Sequence, residues 1–351
     1  MNKVYIYKID NYESLDPLVS GYFENIKSRF EKQKTILLKP NLLQASPPER
    51  AVTTDPAFVR SVISALRKLG NFNIILGDSP GANMNYKKVL EKTGIDKVCE
   101  ELGVEIIRFE SFKPQQRNGF IYTGIVDEVD VIINMPKLKT HSLTGLTLGV
   151  KNLFGLIPGS NKVSFHRNYP NNSDLGGKIL EFYSLFHEKV ITLLDGVIAH
   201  EGDGPSRGNS TYLGLVAFSE DTIGLDMAVT KALGLDVSFC KTNPVKYSYE
   251  VATENITFKN IKLPISMRVK VPDYVKKWVS DRIYVKPFIV GKKCIKCGFC
   301  KNSCPADAIE YSESGYRVID TKCIECFCCH EVCESDAIYL RRSIMHRMFV
   351  K

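Results

Sequence analysis

Between Cys294 and Cys333 the chain reads CIKCGFCKNSCP and then, 29 residues on, CIECFCCHEVCE. Both copies keep the spacing C-x2-C-x2-C-x3-C, with Cys294, Cys297, Cys300 and Cys304 in the first and Cys323, Cys326, Cys329 and Cys333 in the second. A cubane iron–sulfur cluster takes four thiolates. Three come from one tight loop, and the fourth, held off on a short helix, reaches the other cluster. The spacing therefore assigns one [4Fe-4S] cluster to Cys294, Cys297, Cys300 and Cys333, and a second to Cys323, Cys326, Cys329 and Cys304. Zinc also accepts four thiolates, but eight of them in interleaved order favour iron and sulfide.

The copies agree beyond the cysteines, since Asp-Ala-Ile follows both. Such a repeat is one supersecondary unit used twice, here a cluster loop, a short helix and a strand. The stretch from Gly291 to Arg342 resembles a bacterial-type two-cluster ferredoxin domain. Two departures mark its second copy. Glu334 stands where Pro305 follows the last cysteine of the first, and Cys328 is an extra thiol beside Cys329.

At 351 residues the chain has room for two or three domains. The reading divides it into an α/β body (1–260), a basic linker with a short helix (261–290), the cysteine domain (291–342) and a basic tail (343–351). The start, MNKVYIYKID, reads as a strand and not a signal peptide, and no apolar run is long enough to span a bilayer. Nine of the 11 cysteines follow residue 293. Reduced thiols and an oxygen-sensitive cofactor point to the cytoplasm. Cys99 and Cys240 read as ordinary buried residues. The net charge is +8, and residues 262–293 hold nine Lys or Arg against two Asp. That stretch suits an acidic partner protein or peripheral contact with an anionic membrane. Without an aromatic-interleaved motif, nucleic-acid binding is not expected.

In the body, apolar runs (35–43, 73–81, 104–110, 129–137, 189–199, 213–221) alternate with helical periodicity (14–33, 56–70, 146–157, 174–186, 222–234). Residues 247–252 and 271–287 read as further short helices. Alternation of this kind predicts an α/β fold, a doubly wound and mostly parallel sheet, with a small α+β ferredoxin-like domain at the C-terminus. Ligands of such sheets sit beyond the carboxyl ends of the strands. That rule selects Lys39 and Asn41, Asp78 and Ser79, the loop Lys137–His141, and the segment Asp195–Asp203.

KPNLL, GDSPG, PKLKTHSLTGLTLGVKNLFG and LLDGVIAHEGDGPSRG together resemble domain-of-unknown-function family 362, over about residues 35–250. The resemblance implies a fold and a redox setting, and no reaction. The residues themselves suggest roles. Lys39, Lys137, Lys139 and Lys151 would hold a carboxylate or phosphate, unless they are solvated surface lysines. His141 suits proton transfer near neutral pH. The catalytic candidates are thus His141, Lys137, Lys139 and Asp203. The substrate-binding candidates are Lys39, Asn41, Asp78, Lys151, Asn152, Asp195 and Glu201. His200, Glu201 and Asp203 would bind a divalent metal, move protons, or form a polar turn. A P-loop, a G-x-S-x-G elbow and the radical C-x3-C-x2-C triplet are absent, and GDGPSRG lacks the dinucleotide order.

The expectation is an iron–sulfur redox protein that relays electrons to a small anionic substrate or a redox partner on the body. The alternatives are an electron-transfer adaptor without substrate chemistry, and a ligand-binding or transferase body with structural clusters.

Overall fold

A computed structural model of the protein describes residues 3–81, 84–169, 172–254, 256–267, 284–312 and 315–344. The body begins β1 (Lys3–Lys8), α1 (Leu15–Asn25), β2 (Thr35–Pro40), α2 (Pro56–Leu69), β3 (Asn73–Asp78), α3 (Tyr86–Thr93), α4 (Ile95–Glu101) and β4 (Glu105–Arg108). It continues β5 (Gln115–Arg117), β6 (Phe120–Tyr122), α5 (Ile125–Glu128), β7 (Val131–Met135), β8 (Lys137–His141), β9 (Gly145–Thr147) and α6 (Gly149–Leu153). It ends α7 (Ser160–Asn168), α8 (Asn172–Ser184), β10 (Val190–Glu201), β11 (Asn209–Ser219), α9 (Thr222–Ala232) and β12 (Glu250–Val251).

The main sheet runs β12-β1-β11-β10-β7-β2-β3-β4, with β8 hung on β10 and β9 on β8. From β10 to β4 every neighbouring pair is parallel. Successive residues of a strand face opposite sides, and these strands are buried on both. Ile36, Leu38, Ile74, Leu76, Val131 and Ile133 enter one core with α1 to α4. Leu37, Ile75 and Ile132 enter the other with α6 and α8. This double covering is why the runs read as continuously apolar rather than alternating.

Helix α2 starts where the sequence signals it. Asp55 accepts a 2.9 Å hydrogen bond from the Ala57 N–H, Pro56 occupies the first turn, and Gly70 closes the last. Four other readings need correction. Lys137–His141 is the strand β8 and not a loop: it pairs with both β10 and β9, so its polar residues are buried. The 146–157 segment gives the end of β9, then α6 and a 3₁₀ turn, because Gly145 at φ 80° turns the chain back along β8. Residues 250–251 are the edge strand β12, since they pair with β1. Helix α1 ends at Asn25 and is followed by a 3₁₀ turn, Lys27–Phe30. Most of the expected 271–287 helix and residues 345–351 of the tail lie outside the described residues.

In the C-terminal domain β13 (Val285–Ile289) pairs antiparallel with β16 (Ile338–Arg342), and β14 (Ile309–Ser312) with β15 (Gly315–Val318). Val285, Pro287 and Ile289 are less exposed than their neighbours along VKPFI, so strand structure begins inside the stretch read as linker. Two short helices, Phe299–Asn302 and Cys328–Glu331, follow the two cysteine loops. The repeat extends to the backbone. Lys296 and Glu325 have φ of 57° and 58°, and Asp307 and Asp336 have φ of 48° and 53°. Where the first copy uses Gly298 at φ 81°, the second holds Phe327 at 55°. That conformation is costly for a bulky side chain. The Phe327 ring is buried in the apolar cluster that includes Phe154 and Leu156 of the body, and that burial offsets the cost.

Candidate functional site

A cavity of about 120 Å³ lies where the ends of β2 and β3, strand β8 and helix α6 meet the second cluster helix, Cys328–Glu331. Lys39, Asn41, Asp78, Lys139, His141, Lys151 and Asn152 all line it, and so do Lys162 and His166 of α7. Its far wall is Cys328, Glu331 and Val332.

The cations differ in how they are held. Lys39 is fully buried, and its Nζ donates to Asp78 Oδ1 at 2.7 Å and to the Pro40 carbonyl at 2.9 Å. The other oxygen of Asp78 accepts from the Leu42 N–H at 2.7 Å. This pair is internally neutral. Lys139 Nζ pairs with no carboxylate among the described residues and donates instead to Asn41 Oδ1 and the Val52 carbonyl, each at 2.8 Å. Burial pulls its pKa down to about 7. Lys162 donates to the Ser79 carbonyl, and burial brings it to about 8. Lys151 is half-buried, 4.9 Å from the centre of the Phe154 ring, with no ion-pair partner among the described residues. Burial lowers its pKa as well.

A chain of amides fixes this floor. Asn41 Nδ2 donates to Asn152 Oδ1, and Asn152 Nδ2 to Asn134 Oδ1, both at 2.8 Å. Asn134 Nδ2 donates in turn to the Gly149 carbonyl and to Thr192 Oγ1. The links tie the segment after β2, helix α6, β7 and β10 together, so Lys139 and Asn152 have little freedom to turn.

His141 Nδ1 accepts from the N–H groups of Leu143 and Thr144, at 3.1 and 3.4 Å. The ring proton therefore sits on Nε2, which points at Glu331 Oε1 3.4 Å away. Burial first, then the charge of Lys151, holds His141 well below its usual pKa. His166 falls to about 3 for the same two reasons. Burial pushes Glu331 up, opposed by Lys151 and Lys139.

Five candidates lie elsewhere. Lys137 and Asp195 are both fully buried and pair at 2.8 Å away from the cavity. Asp195 also accepts from Tyr12 Oη and the Asp55 N–H, at 3.0 Å each. Glu201 accepts from the Lys262 N–H at 2.9 Å and Asp203 from the Ile265 N–H at 2.7 Å, so they hold down the chain after the body. His200 Nδ1 meets the Arg50 carbonyl at 2.9 Å. Among the described residues no three His, Cys, Asp or Glu side chains converge on a single-ion site.

Sequence reasoning missed Lys162, His166 and Glu331. The i, i+4 spacing of Lys162 and His166 was the available signal, because it places both on one helix face. Glu331 carried no such mark.

The cysteines gather in two groups. Cys300 lies within electrostatic reach of Cys294, Cys297 and Cys333. Cys329 lies within reach of Cys304, Cys323 and Cys326, and of Cys300. Cys304, Cys323, Cys326 and Cys329 also line one small apolar cavity. No cysteine is in a disulfide. The Ala308 N–H donates to Cys304 Sγ at 3.2 Å and the Ala337 N–H to Cys333 Sγ at 3.3 Å, repeat-related donors that would stabilise thiolate charge. Four thiols around a shared space are the ligand set that a four-iron cluster takes.

The cysteine domain is seated on the body by polar contacts. Lys88 pairs with Glu334 at 2.6 Å, while Arg50 and Arg207 pair with Asp336 at 3.6 and 3.5 Å. Ser206 Oγ donates to the Glu331 carbonyl, and Arg167 to that of Pro305. No helix among the described residues is long and apolar enough to cross a membrane.

Comparison with known proteins agrees with this division. Residues 286–334 match the 4Fe-4S dicluster domain. The chain is 33% identical to the thylakoid-associated protein sll1697 of Synechocystis over 235 residues, 66% of this chain and 72% of that one. A crystal structure of a Thermotoga maritima protein is similar at 14% identity and a TM-score of 0.42, over 69% of this chain. The match spans 62% of that protein, less than two thirds, and at this score carries no argument. Residues 36–231 match the domain of unknown function DUF362, and the chain belongs to that family, joined to an iron–sulfur domain of the ferredoxin type.

Proposed function

We propose that this chain is an oxidoreductase of the cytoplasmic side that serves a small anionic molecule held between its two domains. Cys294, Cys297, Cys300 and Cys333 would hold one [4Fe-4S] cluster, and Cys304, Cys323, Cys326 and Cys329 the other. When bound, the clusters supply electrons one at a time. One observation carries the reading: the cavity that gathers Lys139, Lys151 and Lys162 is walled by Cys328, the residue next to the proposed ligand Cys329.

The chain's own residues then divide the work. Lys151 and Lys162 attract the anion. Lys139, with a pKa near 7, can take up a proton as the anion binds and return one to it. His141 stays neutral and offers its Nε2–H. Asp78 neutralises Lys39, which leaves the other lysines for the ligand.

The test uses anaerobically prepared protein with its clusters loaded. Dicarboxylates and phosphorylated acids are screened for a change in the cluster electron paramagnetic resonance signal and for reoxidation of reduced protein. Lys139→Met and Lys151→Met should abolish the response at unchanged iron content. A response that survives both substitutions would sink the reading.

The adaptor alternative draws on one observation, the thylakoid association in the relative's name. A peripheral electron carrier would show salt-sensitive transfer to its partner and indifference to both lysine substitutions.

A further inference from the structure

The two cysteine loops descend from one repeat, yet they carry opposite charge. Residues 291–306 hold Lys292, Lys293, Lys296 and Lys301 and no acidic residue. The matching residues 320–335 hold Asp320, Glu325, Glu331 and Glu334 against Lys322 alone. The acidic copy is turned partly inward. Glu331 lines the cavity beside the lysines of the body, and Glu334 pairs with Lys88. The basic copy faces solvent: all four of its lysines are exposed. Lys293 meets the Tyr339 hydroxyl and ring, and none of the four has a carboxylate partner among the described residues.

In the middle of these lysines lie Cys297, the exposed member of the eight repeated cysteines, and Ile295, 65% exposed. An apolar centre with a charged rim is the anatomy of a transient protein interface. The other cysteine group has no exposed member, and Cys328 beside it lies on the cavity wall.

We infer that the loop 292–301 is the electron-input face of the protein and docks an acidic one-electron carrier protein. This deepens the proposed function, because it assumes that Cys297 holds a cluster. The carrier gives up one electron and becomes oxidised by one, the first cluster is reduced by one, and no bond is made or broken. The exposed cysteine at the centre of the patch favours a redox protein over a lipid headgroup layer, which has no electron to give.

The experiment pairs the loaded protein with an acidic plant-type [2Fe-2S] ferredoxin, reduced and mixed anaerobically, and with dithionite as a small reductant. Binding of the oxidised ferredoxin is measured by titration calorimetry. At low salt, Lys292→Glu/Lys296→Glu/Lys301→Glu should weaken binding and slow reduction by the ferredoxin about tenfold or more. The rate with dithionite should change far less, and 0.5 M salt should remove most of the difference. Lys87→Glu/Lys92→Glu, on the body, is the control and should have little effect. If dithionite reduces no cluster in the parent protein, the iron–sulfur reading itself fails. If dithionite works but the triple variant binds and accepts electrons from ferredoxin like the parent, the docking inference is overturned alone. Loss of sedimentation with phosphatidylglycerol vesicles in the triple variant, with ferredoxin transfer intact, would reassign the face to a membrane.

Discussion

Nε2 of His141, on β8, stands 3.4 Å from Oε1 of Glu331, on the second cluster helix. The PKLKTH block of the body and the iron–sulfur domain thus meet inside the cavity. The two residues are 190 positions apart in the chain, and each forms part of the cavity lining.

The two quartets can be separated by single substitutions. Cys304→Ser and Cys333→Ser should each lose about half of the roughly eight irons that two cubanes contain. They should remove different components of the electron paramagnetic resonance spectrum. Cys328→Ser should keep the full iron content. Iron and sulfide analysis with spectroscopy checks all three.

Lys139 should make both stability and anion binding depend on pH. Its folded-state pKa is depressed from 10.5 to about 7. Between these values the unfolded chain binds more protons than the folded one, so this group's contribution to stability rises with pH across that window. Lys139→Met should flatten the slope of urea-unfolding stability between pH 7 and pH 10. Anion binding needs the charged form and runs the other way. Malonate affinity in the parent protein should fall about tenfold or more from pH 6 to pH 9, as titration calorimetry would show.

The Lys137–Asp195 pair is structural, and its removal should be costly. With both side chains fully buried, Lys137→Met would strand the Asp195 carboxylate and lower stability by about 3–5 kcal/mol. Adding Asp195→Asn should recover a large part, because the amide oxygen still accepts from Tyr12 or Asp55. Urea-unfolding midpoints of the single and double variants decide this.

Gly155, in the GVKNLFG segment, needs its missing side chain. A Cβ there would stand 2.5 Å from Asp78 Oδ1 and 2.7 Å from Lys39 Nζ. Gly155→Ala should push that buried pair out of place and cost about 1–3 kcal/mol. It should also weaken anion binding, whereas Gly177→Ala, which meets nothing within 4 Å, should do neither. Thermal unfolding and calorimetry of both variants provide the check.

What could be read in advance followed from local rules. The cysteine spacing, the capped start of α2 at Asp55 and the buried runs of β2 and β3 are properties of short segments. The strand-end rule selects Lys39, Asn41, Asp78, Lys139 and His141, which line the cavity, together with Lys137 and Asp195–Asp203, which do not; Lys151 and Asn152 come from the GVKNLFG block. What stayed hidden depends on pairing between distant segments. PKLKTH has the composition of a loop, and only its ladders to β10 and β9 make it a strand. Nothing local distinguishes Lys137, neutralised by Asp195, from Lys139, which meets only neutral oxygens. Asp203 and Glu201 looked equally reactive until the returning chain at Lys262 and Ile265 claimed them.

The second cluster helix closes the cavity with Cys328 and Glu331, and it springs from the same loop as the cysteines beside it. The body by itself would be an open trough. Whatever folds or unfolds the loop around Cys326 and Cys329 also builds or removes a wall of the chamber. Iron assembly and molecular selectivity would then be one event, so a chain that has not yet matured would have no finished chamber in which to hold a guest.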